Sequence, residues 1–332
     1  MKKLLGLLLL VLILALAACS SEEGTSEGDS GEAGATTEVP KDMAFASATV
    51  GGFWYTLSAG MADKMNPIYP DSSVTIVEGG SVSNLLGLGQ GVFALGFANG
   101  QTVPEALNGL NEFEEKIENV STVATLYPNV FHMVVREDSD IHSLEDLAGK
   151  TVSPGIAGYS GELAFIDMLN AVDMSYDDLG GIEYIGTADG ADLLRDGHID
   201  AIVGMVAAPL STFQELDTTV GIRMLPLEDE VVTALNEQNE GYLPYTIEGG
   251  TYSNISEDIN TVAGYTVLLV NDDLMSEEAV YDLTKMMFDN QEHWKTLSST
   301  MDDFSPEYSV ENNVGNLHPG AERYYKEIGA ME

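Results

Sequence analysis

Three short stretches of small residues stand where chemistry can happen: Gly51-Gly52-Phe53, Gly79-Gly80-Ser81 and Tyr159-Ser160-Gly161, each followed by residues at helical spacing. A helix start leaves backbone N–H groups unpaired and carries about half a positive charge. A carboxylate can therefore bind there without a lysine or arginine. Gly52 and Phe53 open the first such end, Ser81 the second, Ser160 and Gly161 the third. The plainer reading is that these are turns and N-caps, since serine caps well and glycine supplies positive φ.

Aromatic and amide groups lie beside these loops. Trp54, Tyr55, Tyr127 and Tyr159 can wall a pocket while turning an indole N–H or a phenolic O–H toward a polar solute, or can simply be core. Asn84 and Asn99 can donate amide hydrogen bonds to a ligand or satisfy local backbone groups, the second role suiting Asn84 better. Pro209, after Ala207-Ala208, can shape an opposite wall or start a helix. His132, His142, His198, His293 and His318 stand singly, with no paired metal-ligand spacing, so no metal and no cofactor is expected.

The elements that must position these groups follow a repeated grammar. Met43 to Val50 reads as a strand, Gly51-Gly52 breaks it, and Trp54, Leu57, Met61 and Met65 give the helix 53–65 its apolar spacing. Val74 to Val77 and Ala94 to Ala98 are further strands, each followed by a glycine-bearing loop and a helix. Successive strand-loop-helix units imply a mostly parallel sheet covered by helices. Thr122 to Tyr127 and Val130 to Arg136 are β-rich runs around Pro128-Asn129. Beyond Ile141 the grammar repeats, with strands at Thr151–Ser153, Glu183–Ile185 and Ala201–Met205 and helices at Ser160–Val172, Ala188–Asp196 and after Pro209. Thr261 to Asn271 is a long apolar strand suited to a return crossing, and Ser276 to about Gln291 reads as a closing helix.

The expected fold is therefore α/β: a two-lobe clamp of mixed, mostly parallel sheets with a cleft between the lobes. Residues 41–136 and 261–332 form a discontinuous first lobe and 137–260 the second. In open parallel sheets ligands sit at the carboxyl ends of strands, and here those ends carry glycine and serine.

The start of the chain sets the compartment. Lys2 and Lys3 precede an apolar run that ends in Leu16-Ala17-Ala18-Cys19, which reads as a lipoprotein signal peptide with a lipobox over residues 1–19. Acyl chains on Cys19 would anchor the protein by burying methylenes in the bilayer. Cys19 is the only cysteine, which excludes an intrachain disulfide. Residues 20–40 are acidic and almost free of large apolar side chains, and read as a disordered linker. The whole chain carries 54 acidic against 13 basic residues, a formal net charge of −41. Such a surface repels nucleic acid and would also push away an anionic solute, so a site must supply local positive potential. The excess suits a saline or alkaline exterior, where high ionic strength screens self-repulsion.

At this point several motifs resemble one family together. They are Gly51-Gly52-Phe53-Trp54-Tyr55, Gly79-Gly80-Ser81-Val82-Ser83-Asn84-Leu85, Leu126-Tyr127-Pro128, Leu144-Glu145-Asp146-Leu147-Ala148-Gly149-Lys150, Leu194-Arg195-Asp196-Gly197-His198-Ile199-Asp200-Ala201, and Leu317-His318-Pro319-Gly320-Ala321-Glu322-Arg323-Tyr324-Tyr325. In order and spacing they resemble the TAXI-type solute-binding subunits of TRAP (tripartite ATP-independent periplasmic) transporters, over about residues 43 to 330. The resemblance implies a periplasmic-binding-protein-like clamp that closes on a small anionic or zwitterionic solute, glutamate-like or 2-oxoglutarate-like. It implies delivery to a TRAP membrane permease with fused small and large subunits. The protein would act as a lipid-anchored monomer outside the cell membrane or in the periplasm, and not as an enzyme.

Two places depart from the family pattern. Ala98-Asn99-Gly100 replaces the usual Gln-Ser-Asp, and Gly158-Tyr159-Ser160-Gly161-Glu162 replaces a Gly-Ser-Gly-Thr-Glu turn. Glu162 keeps the family's carboxylate, where it can accept from a ligand ammonium or hydroxyl, or complement its own helix end. Two other readings stay open: a clamp that presents its ligand state to a membrane sensor, and a secreted hydrolase with Ser160 as nucleophile, although Ser160 lacks the second glycine of a Gly-x-Ser-x-Gly elbow.

Overall fold

The structure, a computed structural model, describes residues 38–48, 50 and 52–332. The expected signal peptide, the Cys19 lipidation site and most of the linker lie outside the described residues. Among the described residues no helix is long and apolar enough to cross a membrane.

Eleven α-helices and ten strands alternate among the described residues. The first stretch runs β1 (Asp42–Ala46), α1 (Phe53–Met65), β2 (Ser73–Val77), α2 (Ser81–Gly89), β3 (Leu95–Asn99), α3 (Thr102–Asn108) and β4 (Val120–Arg136). Next come β5 (Thr151–Ser153), α4 (Ser160–Ala171), β6 (Gly181–Ile182), α5 (Thr187–Arg195), β7 (Ala201–Val206) and α6 (Ser211–Thr219). Then follow β8 (Ile222–Met224), α7 (Asp229–Gln238), β9 (Leu243–Ile247) and β10 (Ile259–Asn271). The chain closes with α8 (Glu277–Asp289), α9 (Gln291–Leu297), α10 (Pro306–Glu311) and α11 (Pro319–Glu327).

All ten strands belong to one sheet, ordered β2-β1-β3-β10-β4-β7-β5-β6, with β8 added on β4 and β9 on β10. The strand-loop-helix units pair in parallel at both ends of this order. The long strands β4 and β10 are antiparallel to each other and to their other neighbours. They are long enough to serve both lobes: about 3.4 Å of rise per residue carries a strand of this length well past one lobe.

Apolar side chains sort into four clusters, one on each face of the sheet in each half. In the first half, α1, α8, α9 and α11 cover one face through Leu57, Met61, Met65, Leu283 and Trp294, while α2 and α3 cover the other through Leu85, Leu88 and Val103. In the second half, α4 and α7 bury Phe165, Met168 and Leu235 on one face, and α5 and α6 bury Leu194 and Phe213 on the other. The fold is thus a two-lobed α/β architecture. Residues of β4 change allegiance along its length: Val123, Ala124 and Leu126 pack in the first lobe, Phe131, Met133 and Val135 in the second. We place the handover between lobes at Pro128-Asn129 and Gly264-Tyr265, inside the two long strands.

Several elements differ from their sequence expectation. The two β-rich runs around Pro128 are one continuous strand. Pro128, which has no N–H, is tolerated because the ladder shifts register next to it, between Thr266 and Val267. The strand expected at 183–185 ends at Ile182, where pairing with Val152 stops. The first strand ends at Ala46; the closing helix α8 runs over the expected residues, and a further helix, α9, follows it after Asn290.

Candidate functional site

The register of β10 places the site. Thr266 lies opposite Asn99 of β3 on one side and opposite Tyr127 of β4 on the other, and Gly264 lies opposite Asn129. Three polar residues of three strands are thereby set in one row at the middle of the sheet. Their side chains bond to one another: Asn129 Nδ2 donates to Thr266 Oγ1 at 2.6 Å and to Asn99 Oδ1 at 2.5 Å. Trp54, one residue into α1, donates its indole N–H to the same Thr266 oxygen at 3.0 Å.

Asn99 carries the row across to the second lobe, where its Nδ2 donates to Ser160 Oγ at the start of α4, at 2.5 Å. Its backbone N–H donates to Ser81 Oγ at the start of α2, at 3.0 Å. The helix starts of α1, α2 and α4 are therefore tied to one polar row through Trp54, Ser81 and Ser160. A second contact crosses at the rim, where the Tyr159 ring covers Gly80: a side chain built at Gly80 would meet that ring at 3.7 Å. The Tyr127 phenol is buried beneath Thr266 and Trp54, and burial raises its pKa against the hydrogen bonds it shares with those two residues.

The row is neutral. Every lysine or arginine ion pair among the described residues lies outside it, on the flanks of the helices and loops. Local positive potential comes instead from the starts of α1 and α2, which have no side-chain cap at Gly52 or Gly80 and no acidic residue in their first turns, whereas α4, also uncapped at Tyr159, carries Glu162 in its first turn. This arrangement can hold a small polar or anionic solute through fixed dipoles and neutral donors.

Other expected residues lie around the row rather than in it. Gly52 is the N-cap of α1, and the Phe53 ring packs 5.4 Å from that of Tyr127. Tyr55 is half-buried, and its carbonyl accepts from Ser58. The Asn84 amide ties α2 to the sheet, donating to the carbonyls of Ser47 and Phe97 at 2.8 Å each. Gly161 brings α4 close to β7, since a Cβ there would lie 3.4 Å from the Met205 nitrogen. Glu162 is buried within its own lobe, accepting from the Tyr176 hydroxyl at 2.7 Å and the Gly158 N–H at 3.2 Å. Pro209 is exposed between β7 and α6, its neighbours Ala208 and Leu210 packing on the cluster beneath α6. Ser160, weighed above as a nucleophile, has an amide as its described hydrogen-bond partner, and neither ring nitrogen of the buried His132 is directed to it.

Sequence reasoning missed Asn129, Thr266 and Gln101. The first two are polar residues inside otherwise apolar strands, a visible signal whose meaning depends on register. Gln101 follows Asn99-Gly100 directly and is only 2% exposed.

Behind the row, where α3 approaches α7, a second polar group joins the lobes. Asn239 Nδ2 donates to the Gln101 carbonyl at 2.9 Å and to Glu105 Oε1 at 3.3 Å, and Asn111 donates to the same Glu105 oxygen at 2.9 Å. Burial raises the Glu105 pKa to about 7, opposed by these amides and aided by the charge of Asp167. Asp167, itself raised by burial, accepts from the Tyr242 hydroxyl at 2.7 Å.

The described residues thus form a two-lobed α/β fold whose lobes meet at a row of small polar groups. The NMT1-like family profile matches residues 45–329, and the chain belongs to that family. Among solved structures, the chain is similar to the periplasmic aliphatic sulphonate binding protein SsuA of Escherichia coli, at 16% identity over 87% of this chain and 83% of that one, with a TM-score of 0.45. It is similar to the alkanesulfonate-binding protein SsuA of Xanthomonas axonopodis pv. citri at 15% identity, over 87% and 84%, with a TM-score of 0.46. A putative L-cystine ABC transporter protein of Listeria monocytogenes is 12% identical over 79% and 96%, with a TM-score of 0.47.

Proposed function

We propose that this member of the NMT1-like family is an extracytoplasmic solute-binding protein that captures a small carboxylate or amino acid between its lobes and delivers it to a membrane permease. The observation that carries the reading is the bridge from Asn99 to Ser160, continued by Asn129 and Thr266, in which small polar groups of both lobes converge on one another. A solute entering here replaces protein-protein hydrogen bonds with its own and gains contacts to both lobes at once, the differential affinity that favours closure.

The finer reading is that of a TRAP-type system, as the motif resemblance implies, with a glutamate-like or 2-oxoglutarate-like solute and a lipid anchor at Cys19. A thermal-shift screen of dicarboxylates and amino acids on the purified protein tests the general reading, because a true ligand raises the melting temperature by mass action. Scattering with and without the hit tests closure. If no solute of either class shifts the midpoint, the proposal fails. Co-purification with a sodium-driven permease would favour the TRAP reading over delivery to an ABC system.

A further inference from the structure

Gln101 has a buried side-chain amide in which neither Nε2 nor Oε1 has a hydrogen-bond partner. Both lone positions are costly, because a buried amide group loses its water and gains nothing in exchange. The amide oxygen occupies the space over β10 where that strand has no side chain: a Cβ at Gly264 would fall within 1.9 Å of Oε1 and 2.9 Å of Cδ. Gly264 is the partner of Asn129 across the ladder and stands two residues before Thr266 on the same face of the strand. Gln101 thus borders the polar row at its deep end. Its other walls belong to the second lobe: the Met205 methyl also approaches Gly264, and Gly241 abuts the Gln101 backbone.

We infer that Gln101 reads the far end of the solute and selects a group with an adjacent donor and acceptor, a primary carboxamide or a urea, over a carboxylate. The inference rests on the solute-binding reading above and replaces its glutamate-like or 2-oxoglutarate-like solute by one with a carboxamide at the far end. A carboxamide facing Gln101 accepts from Nε2 and donates to Oε1, so both orphan atoms are satisfied. A carboxylate only accepts; its second oxygen faces Oε1 lone pair to lone pair. The surroundings add to the discrimination. No lysine or arginine ion pair touches this end, while Glu105 is one amide away through Asn239. A site built around a hydrogen-bonding pair rejects the analogue that cannot complete it, here on the order of tenfold or more.

The test compares matched probes by calorimetry on the purified protein: L-glutamine against L-glutamate, and succinamate against succinate. The expected result is a dissociation constant about tenfold or more lower for the carboxamide of each binding pair. In Gln101→Met, which keeps the length and removes both polar atoms, the ratio should fall toward one while the thermal midpoint holds or rises. Should that variant fail to fold, the wild-type ranking decides alone, and so do the Gln101 side-chain amide signals in a nitrogen-edited NMR spectrum, which must shift with the carboxamide. Equal or tighter binding of the carboxylates overturns the inference and leaves the solute-binding reading standing, as does an unchanged ratio in Gln101→Met. If dicarboxylates, amino acids and carboxamides all fail to bind, both readings fall together.

Discussion

The amide of Asn99 on β3 and the hydroxyl of Ser160 on α4 meet at 2.5 Å across the boundary between the lobes. The same amide accepts from Asn129 through its oxygen, so one side chain couples the crossing strand, the first lobe and the second. Asn99→Ala should break the bridge and leave Asn129 with Thr266 alone, costing about 1–2 kcal/mol of closed-state stability. The expected outcome is a larger radius of gyration without solute and about tenfold weaker binding of any solute found in the screen. Ser160→Ala should show the milder form, because Asn99 keeps its other partners.

Glu105 makes stability depend on pH. Its folded pKa, about 7, is above the ordinary value of 4.5, so between those two values the folded protein holds a proton that the unfolded chain has released. Stability from this group is therefore full below about pH 4.5 and is lost as pH rises toward 7. Glu105→Gln should remove that loss, by about 1–3 kcal/mol at pH 8. Thermal midpoints of both proteins at pH 5 and pH 8 check this: the variant should gain on the wild type only at the higher pH.

Tyr176→Phe should lower stability by about 1 kcal/mol without affecting solute binding. It removes the 2.7 Å hydrogen bond that holds Glu162 in its own lobe, leaving that carboxylate the Gly158 N–H at 3.2 Å. Denaturant melts measure the first effect and calorimetry the second. A large loss of affinity would instead place Glu162 in contact with solute.

Salt should stabilise the molecule. A formal net charge of −41 over 332 residues repels itself in the compact state, and the repulsion is screened within about 3 Å at 1 M salt. Raising sodium chloride from 0.1 to 2 M should raise the melting temperature by several degrees. An unchanged or lower midpoint would remove the saline-exterior explanation.

Much of the scaffold is readable locally and much of the site is not. The helix 53–65 is written in Leu57, Met61 and Met65, all of which are fully buried on one face, and α4 and β5 likewise begin at the residues their patterns indicate. By contrast, α7, β8 and β9 had no distinct signal: β9, Leu-Pro-Tyr-Thr-Ile, is a strand because β10 supplies its ladder. Of the expected contacts, Trp54, Ser81, Asn99, Tyr127 and Ser160 are joined in one row, with Tyr159 at its rim. Asn84 and Glu162 are held by their own neighbourhoods. Composition cannot separate these cases, since an amide on a helix start looks the same whether it faces a cleft or a carbonyl. Asn129, Thr266 and Gln101 acquire meaning only from the pairing of strands distant in sequence.

That distance bears on how the protein comes into being. Asn129 and Thr266 are 137 residues apart and become neighbours only when β10 is laid between β3 and β4. Contacts of such separation form late and slowly. A nascent chain in the act of synthesis can already possess helices and local pairs of strands, yet it has no polar row. On the solute-binding proposal, uptake is thereby deferred until the last third of the polypeptide has been made and folded.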